Sequence, residues 1–139
     1  MNMRVFVRVG LVAVASLALT GCQLAYEVSV AVQNGHLIFK TVRKGFGPDR
    51  PATVERIRVI EDSQRPHVVW NIESIATNGR EMAQLQYGQT PQGFRLDVAP
   101  EHLKVGQLYR VELWGLGGMD ETYFVVARYD IGRGVTVVH

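Results

Sequence analysis

Cysteine is nearly absent from this chain, since Cys22 is the only one among 139 residues. A single thiol excludes a disulfide within the chain and a zinc site built from several cysteines. The four histidines are scattered, and no two of them have the HxH or HExxH spacing of metal ligands: His36, His67, His102 and His139. We therefore expect no bound metal and no other cofactor.

An excess of basic charge is also missing beyond the first residues. The sequence has 15 Lys and Arg residues against 13 Asp and Glu residues, but Arg4 and Arg8 precede Cys22. The remainder is balanced, which speaks against a nucleic-acid partner, because such domains carry a basic excess. With 47% hydrophobic and 20% charged residues, the chain is expected to form one globular domain.

Catalytic patterns are a third absence. None of the serines after Cys22 lies in a GxSxG or SxxK context: Ser29, Ser63 and Ser74. Two pairs of acids are adjacent in sequence, at positions 61–62 and 120–121, but neighbours on a strand point to opposite faces. The glycines between positions 115 and 118 lack the GxGxxG spacing and open a predicted strand, so they do not predict a phosphate loop. The sequence indicates a protein that is not an enzyme.

The start of the chain combines a cationic segment, MNMRVFVR, with an apolar segment, VGLVAVASLALTG. This order is typical of a secretory signal peptide, which we expect to be helical. The uncharged run from residue 9 to residue 21 has about 13 residues, whereas a helix that spans a bilayer needs about 20. We therefore expect a signal peptide at residues 1–21 rather than a permanent membrane-spanning helix.

The last residues of this stretch, Leu19, Thr20, Gly21 and Cys22, resemble the lipobox of bacterial lipoproteins. The family pattern is an aliphatic residue, a small or hydroxyl residue, Gly or Ala, and then Cys. The resemblance implies that the Cys22 thiol is diacylated, that the chain is cut before it, and that the new amino group is acylated. Several acyl chains give a lasting membrane anchor, because each buried methylene contributes about 0.8 kcal/mol.

Gln23 follows the lipobox cysteine. In enteric lipoproteins an Asp at this position favours retention at the inner membrane, so the resemblance implies the periplasmic face of the outer membrane. We expect residues 22–25 to form a lipidated tether and residues 26–139 to form the folded domain.

From Tyr26 onward, apolar residues recur with a period of two, which predicts β-strands. The pair Asn34 and Gly35 predicts a hairpin, because both residues of the favoured two-residue turn need a positive φ. Such a turn between YEVSVAVQ and HLIFKTVR pairs Val32 with Leu37, Val30 with Phe39, and Val28 with Thr41. The pair Asn78 and Gly79 predicts a second hairpin between HVVWNIESIAT and REMAQLQYG, in which Trp70 pairs with Tyr87, Ile72 with Leu85, and Ser74 with Ala83.

Further alternating segments predict strands at 54–60, 93–99, 107–114, 122–129 and 135–138. Their inward faces are expected to include Phe94, Leu96 and Val98, and then Tyr109, Val111 and Leu113, with Arg110 and Glu112 pointing outward. No amphipathic helix of useful length is predicted after the leader. About eight or nine short strands separated by Gly- and Pro-rich turns predict an all-β, antiparallel two-sheet β-sandwich, with a small β-barrel as the alternative.

The segment LKVGQLYRVEL, residues 103–113, resembles the E–F corner of fibronectin type III and related immunoglobulin-like domains. That corner has a Leu, a short turn, and then Tyr-x-Val on strand F. Trp70 similarly resembles the core tryptophan of those domains. The resemblance implies an immunoglobulin-like sandwich in which the Tyr109 hydroxyl bonds to nearby backbone, and it implies nothing about function.

Two surface features bear on binding. Trp114 shares the outer face of its strand with Arg110, and the following loop adds Leu116 and Met119, so these residues predict a protein-binding surface. Basic residues cluster in sequence around the loop GFGPDRP, where they form either a patch for anionic head groups or a mixed solvated face: Lys40, Arg43, Lys44, Arg50, Arg56 and Arg58.

These observations lead to one main functional hypothesis and one alternative. The main hypothesis is an outer-membrane lipoprotein, anchored through Cys22, that acts as a non-enzymatic binding or scaffolding module for an envelope protein. The alternative is an inhibitor or immunity lipoprotein that neutralises a periplasmic toxin or lysozyme, with Arg50 facing catalytic carboxylates.

Overall fold

The computed structural model describes the backbone of residues 25–130 and 134–138 and the side chains of residues 25–127. The predicted signal peptide, Cys22 and most of the predicted tether lie outside these residues. Within them the fold is all-β, with no helix, and its ten strands pair antiparallel: β1 Ala25–Gln33, β2 His36–Lys44, β3 Arg50–Glu61, β4 His67–Ser74, β5 Arg80–Met82, β6 Gln84–Gln86, β7 Phe94–Val98, β8 Leu108–Gly115, β9 Gly118–Asp130 and β10 Gly134–Val138. Nothing in this part of the chain qualifies as a membrane-spanning helix.

The strands follow the order β1-β2-β3-β8-β9-β10, and β3 joins two groups of strands. Its first residues pair with β2, which also pairs with β1 and β6. The rest of β3 pairs with β5 and β4 along one edge and with β8 along the other, and β7 adds to β4. Among the described residues, this order ends at β1 and β10 and is not closed.

Aromatic rings join the two groups of strands in one core. The ring centroid of Phe39 on β2 lies 6.1 Å from that of Trp70 on β4 and 6.0 Å from that of Phe124 on β9. Tyr109 on β8 stacks on Phe124 at 5.5 Å. All four side chains are 1% exposed or less. Because burial of a large apolar side chain contributes about 1.5–3 kcal/mol, this core is the main source of the fold's stability.

The first predicted hairpin is confirmed. Its register is the expected one, with Val32 opposite Leu37 and Val30 opposite Phe39. Asn34 and Gly35 have φ values of 51° and 76°, which are the left-handed values that the two-residue turn requires. The sequence therefore predicts this hairpin to the residue.

The second predicted hairpin is wrong, because the chain after Gly79 does not return to β4. Strand β5 pairs with β3, and β6 pairs with β2, so that Leu85 lies opposite Phe39 rather than Ile72. The partners of β4 are β3 and β7. Gly79 has a φ of 73°, but Asn78 is not among the described residues with a positive φ, so the favoured hairpin turn does not form.

Strand β7 also departs from its predicted face. Phe94 is buried as expected, but Leu96 is 47% exposed. A register shift between Asn71 and Ile72 interrupts the pairing of β4 with β7, and in the described backbone β7 has no strand pairing on its other side. An irregular edge strand leaves its apolar side chains less covered than a central strand does.

One end of the sheet brings together the start of β1, the loop 45–49 and the turn 116–117, and we call it the proximal end. Ala25 and Lys44 are cross-strand partners, and so are Arg43 and Arg50 on either side of the loop. The Tyr26 hydroxyl donates a hydrogen bond of 2.9 Å to the carbonyl oxygen of Leu116. Strand β1 therefore starts at this end, at Ala25.

Candidate functional site

The predicted binding residue Trp114 lies on the outer face of β8, half-buried between two arginines of β3. Its cross-strand partners are Arg56 on β3 and Met119 on β9. The guanidinium carbons of Arg56 and Arg58 each lie 5.8 Å from the centroid of the indole ring. This is the range of a cation–π interaction, so both arginines hold the ring in place.

The apolar residues predicted beside Trp114 are brought to it. Met119 lies directly opposite Trp114, and Leu116 lies in the turn that joins the two strands. Their side chains remain open to solvent, with 44% exposure for Met119 and 53% for Leu116. We call the surface formed by Trp114, Arg56, Arg58, Leu116 and Met119 the tryptophan face.

On one side of the tryptophan face, Arg56 continues into ion pairs across three strands. Arg56 Nε donates to Glu73 Oε1 at 2.8 Å, and Arg95 also contacts Glu73. Arg95 is held in turn by Asp97, with Nε 3.0 Å from Oδ1. The hydrogen bond from Arg56 lowers the pKa of Glu73, because it stabilises the ionised carboxylate.

On the other side, Arg58 forms an ion pair with Glu112, whose residue is only 4% exposed. Arg110 Nε also lies 3.2 Å from Glu112 Oε1, and the Trp114 indole N–H donates to the same carboxylate at 3.4 Å. Glu112 does point to the outer face of β8, as predicted, but these neighbours cover it. Its burial is tolerated because these paired charges and the hydrogen bond replace the water that the carboxylate loses.

A cleft of about 340 Å³ lies beside Trp114, between β3 and the chain that follows β4. Its lining includes Arg56 and Glu73, and it also includes Ser74, whose hydroxyl oxygen is buried without a hydrogen-bond partner among the described residues. The cleft gives the tryptophan face a concave border next to its ion pairs.

The predicted basic patch is divided between two places. Arg56 and Arg58 belong to the tryptophan face, while Arg43, Lys44 and Arg50 lie at the proximal end. Lys44 Nζ is 2.7 Å from Glu27 Oε2, whereas the structure gives no ion pair to Arg43 or Arg50 within residues 25–127. The sequence cluster is thus not one surface, because β3 carries its later residues away from the loop.

The loop at the proximal end holds an exposed aromatic residue that the sequence analysis missed. Phe46 is 94% exposed and lines a cleft of about 260 Å³ together with Arg43, Pro48 and Arg50. A large aromatic within a Gly- and Pro-rich loop was the available signal, since such loops rarely bury a side chain.

The Tyr109 hydroxyl bonds to nearby backbone, as predicted. It accepts a 2.8 Å hydrogen bond from the backbone N–H of Lys104, five residues earlier. Burial raises the pKa of Tyr109, because the ionised form is poorly solvated there. Trp70 is fully buried, which matches its predicted place in the core.

The histidines that the structure describes make local contacts rather than a metal site. His67 Nε2 lies 3.2 Å from Glu101 Oε2, and His36 Nδ1 lies 3.2 Å from Gln86 Nε2. In the part of the chain with described side chains, no group of three or more His, Cys, Asp or Glu residues has an arrangement that could hold a metal ion. His139 lies outside that part.

Comparison with known proteins adds no relative, since no family model, no curated protein and no solved structure matches this chain.

Proposed function

We propose that this protein is an envelope lipoprotein, anchored through Cys22 at the periplasmic face of the outer membrane, that binds a protein partner through the tryptophan face. It acts as a non-enzymatic binding or scaffolding module. Its domain is an immunoglobulin-like β-sandwich, an interpretation supported by the antiparallel strands, the buried Trp70 and the hydrogen bond at Tyr109.

The anchor rests on the lipobox resemblance at residues 19–22 and on the apolar segment before it. Ala25, where β1 begins, lies three residues after Cys22. Three residues span at most about 10 Å, since an extended chain advances about 3.5 Å per residue. The proximal end of the domain is therefore held close to the membrane, and we propose an envelope protein as the partner.

The observation that carries the binding proposal is the position of Trp114 between Arg56 and Arg58, next to the exposed Leu116 and Met119. Trp and Arg are the residue types most enriched at the centres of protein interfaces. Here both arginines are already fixed by Glu73 and Glu112, so binding would cost little further side-chain entropy. A preorganised aromatic centre held between paired charges, with an apolar border, fits a protein surface that offers apolar groups and hydrogen-bonding polar groups.

The alternative, an inhibitor that inserts Arg50 into a toxin or lysozyme, has less support. Arg50 lies at the proximal end, two strands away from β1, so an anchored chain holds it on the membrane side of the domain, where a folded toxin has little room. The tryptophan face lies on the outer side of β3 and β8 and is easier to reach.

Site-specific photo-crosslinking in cells tests the proposed surface. A photoreactive amino acid is placed at Met119 and, as a control, at Leu96, which has a similar exposure on the opposite edge of the sheet. The proposal predicts a discrete crosslinked adduct from Met119 that disappears with Trp114→Ala, and no adduct from Leu96. Equal labelling from both positions, or an adduct indifferent to Trp114, would contradict the proposal.

A further inference from the structure

We propose that the loop 45–49 and its two flanking arginines form a lipid-contacting surface that docks onto anionic phospholipid head groups of the membrane holding the acyl chains. The inference rests on the proposed anchor at Cys22 and adds an orientation to it. The domain stands on its proximal end, with Phe46 among the head groups and Arg43 and Arg50 around a lipid phosphate.

The position of the loop is the first argument. Strand β1 enters the domain at Ala25, whose cross-strand partner is Lys44, the residue just before the loop. An anchor three residues before Ala25 reaches at most about 10 Å from it. The loop is therefore among the parts of the domain held nearest to the membrane.

The side chains of the loop are the second argument. Phe46 is 94% exposed, the largest exposure among the large apolar side chains that the structure describes. An aromatic ring gains free energy at a bilayer interface, where its apolar body leaves water.

The two arginines are the third argument. Arg43 and Arg50 are direct cross-strand partners, and like charges in that position repel each other. No ion pair with an acid relieves this repulsion within the described side chains. A phosphate group relieves it, because guanidinium groups bind phosphate oxygens with paired hydrogen bonds.

The acids at this end limit the attraction but do not cancel it. Glu27 is paired with Lys44 at 2.7 Å, so that pair is neutral. Asp49 lies in the loop next to Arg50, which leaves one net positive charge for the loop and its two arginines. Docking of this surface therefore depends on the apolar contact of Phe46 as well as on charge. The surface orients a domain that the acyl chains already hold at the membrane, and it does not recruit a free domain from solution.

Label quenching on vesicles tests the inference with the full acylated chain. Because acylation occupies the Cys22 thiol and the chain has no other cysteine, Pro48→Cys supplies a single free thiol for a fluorophore beside Phe46. Val105→Cys is the control, since Val105 is 57% exposed and lies beside Val126 at the opposite end of β9 from the turn. The protein is reconstituted in phosphatidylethanolamine vesicles that also contain either phosphatidylglycerol or phosphatidylcholine. Lipids with a nitroxide on the head group quench a fluorophore that lies at the membrane surface. Flotation of the protein with the vesicles measures anchoring.

We expect quenching of the label at position 48 and little quenching at position 105. Adding Phe46→Ala to Pro48→Cys is expected to lower the ratio of docked to undocked domains about tenfold. Adding Arg50→Gln is expected to lower this ratio about fivefold on the phosphatidylglycerol vesicles. Replacing phosphatidylglycerol with phosphatidylcholine should lower the ratio by a similar factor for the protein with the unchanged loop.

The outcomes separate this inference from the anchor. If the protein floats with the vesicles but both labels are quenched equally, the docking surface is refuted and the anchor stands. Quenching at position 48 that ignores both Phe46 and Arg50 refutes it as well. A chain that does not float refutes the anchor together with the orientation that depends on it.

Discussion

Glu112 on β8 and Arg58 on β3 are cross-strand partners on the outer face of the sheet, and their side chains form an ion pair in which the carboxylate is largely removed from water. Glu112 is 4% exposed, although its sequence position is that of an outward residue. The pair also fixes Arg58 against the ring of Trp114. The buried carboxylate of Glu112 and the position of Trp114 thus both depend on Arg58.

Loss of one member of this pair is expected to be costly. Arg58→Leu leaves Glu112 buried with Arg110 as its remaining cation, and we expect the free energy of unfolding to fall by about 2 kcal/mol. The double variant Arg58→Leu with Glu112→Leu should recover part of this loss, because the carboxylate is no longer buried without Arg58, and Arg110 keeps Glu121, 3.7 Å from its Nε, as an acidic partner. Urea unfolding measures both effects. Lys44→Ala breaks an exposed ion pair and should change the free energy of unfolding by about 0.5 kcal/mol or less. Equal losses from Arg58→Leu and Lys44→Ala would contradict the difference expected between a buried and an exposed pair.

The pair of Arg56 with Glu73 predicts a dependence of stability on acid pH. The pKa of Glu73 in the fold lies below its usual 4.5, so the unfolded chain takes up the proton first and acid favours unfolding. This contribution is complete above pH 4.5 and is lost as the pH falls through the pKa of the folded state. Urea unfolding between about pH 5 and pH 3 should give a shallower loss for Glu73→Gln than for the parent protein. Arg56→Gln should also reduce the slope, and an unchanged slope in both variants would refute the assignment.

The corrected path after β4 can be tested at Gly79. A Cβ atom at this position would lie 2.8 Å from the carbonyl oxygen of Val54, because the chain passes close to β3 before β5 begins. Gly117 has a similar φ, 80° against 73°, but a Cβ there would meet nothing within 4 Å. We expect Gly117→Ala to cost about 1 kcal/mol for the left-handed backbone and Gly79→Ala to cost about 1 kcal/mol more. Equal losses in thermal unfolding would show that Gly79 does not approach β3.

The two Asn-Gly pairs show how far the sequence predicts this fold. Both have the same letters, but only Asn34 takes up the left-handed conformation, and only the first pair joins long alternating strands. After Gly79 the strands β5 and β6 have three residues each, and their pairing with β3 and β2 outweighs a return to β4. Trp70 and Tyr87 still meet, with ring centroids 5.2 Å apart, but they do so without pairing as strand neighbours.

The candidate site shows the same limit. The outward position of Trp114 follows from alternation, and the sequence predicts it, but the sequence places Met119 in a loop, whereas Met119 lies on β9 directly opposite Trp114. The stacking of Arg56 and Arg58 on Trp114 depends on the register between β3 and β8, which are far apart in sequence. Local patterns contain no information on that register, so the sequence predicts these arginines as part of a basic patch around the loop instead.

The exposed border of the tryptophan face should affect binding without affecting stability. Leu116→Ser and Met119→Ser remove apolar surface that is already open to solvent, so thermal unfolding should be nearly unchanged. The photo-crosslinked adduct from a probe at the neighbouring residue Glu121 should decrease in both variants, because they remove the apolar rim. The matched control is Leu96→Ser on β7. A large loss of stability in either variant would mean that these side chains support the fold rather than a partner.

The lipid anchor is the central claim, and the mass of the mature protein tests it most directly. Intact mass spectrometry of the full chain, expressed in a bacterial host and extracted from its membranes with detergent, gives both the first residue and the modification. The account predicts a mature chain that begins at Cys22 and carries the added mass of acyl chains on its thiol and amino group, with neither cleavage nor acylation in Cys22→Ser. An unmodified Cys22, or a membrane-bound chain that keeps residues 1–21, would contradict it.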